Sequence, residues 1–380
     1  MGLFGMWNTS RHGRNRTERA PTSRTERSRQ VTVLFHMRST ISLVSAALLL
    51  TLTLLSAPVS AAGRAYVSNE DGESVTVLDS RDGSVVATVP VGKRPRGLKL
   101  SRDGSVLYVA VSGLPKCPPS VPDAECAKLK RDLQADGIAM IDTATLQLRG
   151  LLKSGSDPEQ FDVGHDGKRL FISNEDSARA TVLDTTTGAI LGTIPTGHEP
   201  EGVRMSPNGK WLLVTSETDS TVSIIDSSSL EVLKVVHVGL RPRDAAFTPD
   251  SKTAYVSGEG DASLSRVPIP SGEPVTRVLQ LSQMARPMGV VFDAARKRIY
   301  VSTGRGGTVA VVQEEGGGGK LLKEIPVGAR PWGIALSHDG RRLYTANGSS
   351  NDVTIIDTSS LSVVKKVPVG KGPWGVVVGP

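Results

Sequence analysis

Cysteine and histidine are scarce in this chain, with two and six in 380 residues. There is no CxxCH for covalent haem, no HExxH zinc helix, no GxSxG nucleophile elbow and no Walker loop. Two thiolates are too few for a closed zinc site, and no histidine lies near them in sequence. The composition therefore gives no metal site, no cofactor and no assigned catalytic residue.

A strong charge of one sign is also missing once the N-terminal part is set aside. The full chain is +7 with a pI near 9.4. Residues 1–61 hold eight Arg and two Glu of the 45 basic and 38 acidic side chains, leaving 37 and 36. A net of +1 from residue 62 onward supplies no basic field for a phosphate backbone, so nucleic acid is not an expected partner.

Residues 1–36 carry seven Arg and almost no apolar pattern, and read as disorder or as sequence ahead of the true start. Met37-Arg38 then opens the apolar run ISLVSAALLLTLTLLSAPVSA. With small residues at Val59-Ser60-Ala61, residues 37–61 read as a secretory signal peptide, cleaved near Ala61. An uncleaved membrane anchor is the alternative, since the run is close to spanning length. Either way the chain is expected to be exported, periplasmic or secreted.

What is abundant is repetition. The proline of a GxxPxG phrase recurs at Pro95, Pro158, Pro200, Pro242, Pro287, Pro331 and Pro373. The steps are 63, 42, 42, 45, 44 and 42 residues, the first being one period plus an insertion of 21. An aspartate closing a β-rich run keeps the same phase at Asp79, Asp142, Asp184, Asp226 and Asp357. Each period holds four short strand patterns separated by turn residues, as in Gly328–Val369. A four-stranded unit with both faces uncovered is stable only when packed on copies of itself. The fold class is all-β: a seven-bladed β-propeller of four antiparallel strands per blade, spanning 62–380. The final PWGVVVGP is a lone first strand, and the ordered start RAYVSN is a second strand, so the last blade is composite.

The insertion, residues 112–136, contains both cysteines. In an exported protein, Cys117 and Cys126 in a proline-rich loop read as a disulfide, with two unrelated thiols as the alternative. Its place between a second and a third strand predicts that it overhangs the channel mouth. The blade after Pro287 is worn: Gln313 stands where the aspartate belongs, and Gly316 to Gly319 reads as a flexible turn.

The residue after each repeated proline opens the first strand, nearest the axis. It is Arg96, Glu159, Glu201, Arg243, Met288, Trp332 and Trp374. Scaffold residues around it repeat while it varies in charge and size, as expected of an asymmetric binding surface. Compensating ion pairs at the rim are the alternative. Arg94, Arg241, Arg286 and Arg330, before the proline, add cationic donors. His198, in the link TGHEPEG, joins the ligand- or partner-binding set, whereas His165 and His338 sit in turns and His237 in a fourth strand.

These repeats, with LYVA, AYVSG, IYVST and VTIIDTSS, resemble the YVTN family of seven-bladed β-propellers. More narrowly, GRAYVSNEDGESVTVLDS, VGKRPRGLKLS, PTGHEPEGVRMSPNG and VGKGPWGVVVGP resemble exported propellers associated with pyrroloquinoline-quinone (PQQ)-dependent alcohol catabolism. The resemblance implies a periplasmic accessory or binding protein working beside a quinoprotein dehydrogenase or a transport component. A small ligand is the other expected partner. The competing class is a lactonase-like hydrolase or lyase using Glu159, Glu201, Arg96, Arg243 and His198.

Overall fold

The computed structural model describes residues 63–116, 121, 123–126 and 128–379. Residues 1–62, on which the expected extension and signal peptide fall, lie outside the described residues. So do Cys117 and the Cys126 side chain, and with them the expected disulfide. No helix among the described residues is long and apolar enough to cross a membrane.

Seven four-stranded antiparallel sheets form the propeller. Blade 1 is composite, pairing Pro373–Val378 with Arg64–Asn69, which is followed by Ser74–Asp79 and Val85–Pro90. Its closing register sets Ala65 opposite Val378 and Tyr66 opposite Val377. The first strands of blades 2 to 7 are Leu98–Leu100, Pro158–Val163, Pro200–Met205, Pro242–Phe247, Val290–Asp293 and Pro331–Leu336. Consecutive first strands touch one another around the axis, and the ring returns from blade 7 to blade 1.

Second strands such as Arg64–Asn69 and Val106–Val111 are buried along their whole length, because a neighbouring blade covers each face. That is why they read as continuous apolar runs rather than alternating ones. Fourth strands such as Val85–Pro90 and Ile190–Pro195 are mostly exposed. The core falls into seven clusters, each shared between two adjacent blades, so no blade ends in an uncovered face.

The repeated aspartate caps a turn. Oδ1 of Asp142, Asp184, Asp226 and Asp357 each accepts the backbone N–H groups two and three residues on. Blade 6 lacks this cap, and its hairpin runs on instead. Gln313 pairs with Lys320, Glu314 with Gly319 and Glu315 with Gly318. The glycine stretch is therefore not a loose four-residue loop. Only Gly316 and Gly317 turn, at φ of 58° and 93°, the left-handed pair that suits a two-residue hairpin.

One hydrogen bond joins this scaffold to the channel mouth. The second-strand hydroxyls of Ser68, Ser173, Ser257 and Ser302 donate across the blade interface at 2.5–2.6 Å. Their acceptors are the main-chain carbonyls of Arg96, Glu201, Met288 and Trp332, each the residue after the next blade's proline. The glycine that follows lets the first strands approach closely: a Cβ on Gly202 would stand 2.5 Å from the Arg243 carbonyl oxygen.

Candidate functional site: the channel mouth

Six of the seven residues after the prolines, all but Met288, line one mouth pocket or its edge, together with Arg94, Lys116 and Arg330. The sequence placed these side chains at a common level, and the fold gathers them around the axis.

Two arginine-centred knots form the acidic half. Arg96 is 2 % exposed and donates to Asp157 at 2.5 Å, to the Pro158 carbonyl at 2.8 Å and to Glu175 at 3.1 Å. It also pairs with Glu159. Arg243 pairs with Glu201, Glu217 and, at 2.6 Å, Glu259, while Arg241 adds a second cation to Glu217. Each buried guanidinium thus meets three carboxylates. Burial opposes the charge of Arg96 and of Arg243, but the surrounding carboxylates outweigh it and raise both pKa values.

The carboxylates divide in two ways. Burial pushes Glu159 and Glu201 well above the ordinary carboxylate range, against the pull of Arg96 and Arg243 and with help from neighbouring acids. At Asp157 burial is overcome by Arg96 and the Ser112 hydroxyl, and at Glu259 by Arg243, so both are held low. One arginine cannot neutralise three acids, so in each group one buried glutamate, Glu159 or Glu201, keeps its proton most readily.

The other half is aromatic. The Trp332 and Trp374 rings lie side by side with centroids 5.6 Å apart and planes at 32°. Arg330, exposed, sits 4.7 Å over Trp332, and Arg243 approaches the same ring at 5.9 Å. Beside the indoles opens a cleft of about 450 Å³ bounded by Arg330, Lys116, Lys371 and Asn351. Arg330 and Lys371 meet no carboxylate among the described residues, unlike the cations of the knots.

The insertion reaches this site. Lys116 lines the mouth and pairs with Glu70 at 2.9 Å and Asp71 at 2.8 Å, and Arg94 pairs with Glu70 at 3.0 Å. Arg131 ties the far end of the loop to Asp136 at 2.9 Å and to Asp176.

His198 stands apart. Its side chain is 75 % exposed, it pairs with Asp219 at 3.1 Å, and it lines none of the mouth cavities. The link position is near the mouth in sequence, but Asp219 turns the imidazole outward. Conversely, the sequence reading missed Glu70, Glu175, Glu217 and Glu259. Each is the residue after a second strand, in SNED, SNED, TSET and SGEG, a repeated acid that was visible in the chain.

No family model matches the chain. Over 109 residues, 29 % of this chain, it is 31 % identical to antigen Lp49 of Leptospira interrogans, a match spanning 22 % of that protein. Among solved structures it is similar to hydrazine synthase of Kuenenia stuttgartiensis, with a TM-score of 0.67 and 24 % identity over 79 % of this chain and 94 % of that one. It is also similar to the periplasmic gluconolactonase PpgL of Pseudomonas aeruginosa, with a TM-score of 0.64 and 18 % identity over 83 % and 99 %. At these identities the likeness is one of fold.

Proposed function

We propose that this chain is an exported, non-catalytic binding propeller that presents its channel mouth to a partner protein or small ligand beside PQQ-dependent dehydrogenase and transport systems. The observation that carries this reading is the Trp332–Trp374 pair, with Arg330 stacked on it and Lys371 at the cleft edge. Every mouth acid is engaged by a cation, whereas these two cations are not. Indoles and uncommitted cations are the side chains that concentrate binding energy, and they suit an aromatic or anionic group. The quinoprotein setting rests on the sequence resemblance over residues 63–380. Export draws on the signal-like segment and on the periplasmic address of PpgL.

Replacing Trp332 and Trp374 by alanine, and Arg330 by glutamate, tests this by melting temperature and by capture of partners from native periplasm. Arg330→Glu is expected to abolish capture with little change in melting, because that side chain is exposed. Capture that survives all three substitutions, with stability lost in the tryptophan variants, would make the indoles a plug and end the binding reading.

A lactonase-like hydrolase is the second reading, favoured by the raised pKa values of the buried Glu159 and Glu201 and by what PpgL is named for. Gluconolactone hydrolysis that disappears in Glu201→Gln would replace the first reading with this one.

A further inference from the structure

The mouth ring has an underside. Glu201, Arg243, Trp332 and Trp374 line both the mouth pocket and a separate cavity of about 370 Å³ deeper in the channel. They form a partition between the two spaces. The deeper cavity lies within the volume range of small-molecule sites.

Its wall is divided. On one side stand Lys99, Gln160 and Arg204, from blades 2, 3 and 4, and on the other Val291, Phe292 and Leu336, from blades 6 and 7. Lys99 and Arg204 follow their prolines by four residues, where blades 5, 6 and 7 carry Ala246, Val291 and Ala335.

The acids nearby are already saturated. Asp244 accepts the Arg204 guanidinium at 2.6 Å and the backbone N–H groups of Ala245 and Val290. Asp162 accepts the N–H groups of Val163 and Met205 and stays 3.7 Å from Lys99. The cations are less committed. Lys99 Nζ makes no hydrogen bond among the described residues, Arg204 Nη1 has no acceptor there, and the Gln160 amide is also without a partner. A quarter of the Lys99 side chain (25 %) remains accessible.

We infer that this cavity is a second ligand site, independent of the mouth, which holds a small monocarboxylate. Its carboxylate lies against Lys99, Arg204 and Gln160, and its hydrocarbon body lies against Val291, Phe292 and Leu336. Three donors without hydrogen-bond acceptors among the described residues line one side, an acceptor-rich head group supplies what they lack, and the opposite wall offers apolar contact.

The ionisation of Lys99 is consistent with this arrangement. Burial first, then Arg204 and Arg102, pull its pKa below the ordinary lysine value, against Asp162 and Asp244. A carboxylate beside it opposes that shift, so any proton exchange on binding is uptake.

The probes are benzoate and octanoate, titrated calorimetrically into the full chain in buffers of differing ionisation enthalpy, with benzamide as the uncharged comparison. Expected are a Kd of about 1 mM or tighter for the anions, with any proton exchange on binding being uptake rather than release, and at least about a tenfold loss in Lys99→Met. Lys99→Arg is expected to keep binding, and Arg330→Ala, at a residue outside the cavity lining, to leave it unchanged. The inference is overturned by absence of binding at about 10 mM, by benzamide binding as well as benzoate, or by undiminished affinity in a folded Lys99→Met. Loss in Arg330→Ala with retention in Lys99→Met would move the ligand to the mouth.

Discussion

Arg96→Met removes the cation from one knot and leaves a side chain of similar length. Arg96 is 2 % exposed and holds Asp157, Glu159 and Glu175 together, with a further hydrogen bond to the Pro158 carbonyl. Breaking a buried ion pair from one side costs about 3–5 kcal/mol, because the remaining charge is left uncompensated. Here three carboxylates are left, so the loss is expected at the upper end of that range at about pH 8. Acidification lets the orphaned acids protonate, and at about pH 5 the loss should shrink to roughly 1–2 kcal/mol, the share of hydrogen bonding and packing. Equilibrium unfolding in guanidinium, followed by tryptophan fluorescence, reads both values. Adding Asp157→Asn, Glu159→Gln and Glu175→Gln to Arg96→Met should recover most of the stability at high pH. A loss under about 1 kcal/mol, or an equal loss at both pH values, would show that the knot is not an electrostatic unit.

Four further outcomes are expected. Glu201 has its pKa raised by burial, so its contribution to stability is full below the ordinary carboxylate range and lost as pH rises through the raised value; Glu201→Gln should flatten this decline in pH-dependent unfolding. Gly202→Ala sets a Cβ 2.5 Å from the Arg243 carbonyl oxygen and 3.0 Å from Asp244 Cα, and should destabilise by on the order of 1–3 kcal/mol in thermal unfolding. In exported material, Cys117 and Cys126 should resist alkylation under denaturing, non-reducing conditions, and N-terminal sequencing should begin within a few residues of Ala62.

The ring of blades was legible because its landmarks obey local rules: Asp142 caps its own turn, and the prolines recur in phase wherever a first strand begins. Arg96 and Trp332 could be placed at a common level from that phase alone. Their partners were harder to see. Glu175 is 79 residues from Arg96, and only the packing of blade 3 on blade 2 brings them within 3.1 Å. The direction of His198 depends on Asp219, 21 residues away across a link, and position in the repeat does not encode that contact. Lys99 and Arg204 stand out only when their column is compared across blades, as a cationic side chain where four other blades carry Ala or Val and blade 3 carries Asp162.

The composite blade also fixes when the molecule can be finished. Tyr66 is opposite Val377, so the first described strand waits for the last one described. Until Pro373–Val378 is available to pair, Arg64–Asn69 has an unpaired edge and the clusters on both sides of blade 1 are incomplete. Pairings of such large sequence separation form late, after the local hairpins of the other blades. The chain is then a string of hairpins without a closed ring. Truncation before Pro373 would make that transient state permanent, with an open strand edge available to a second molecule.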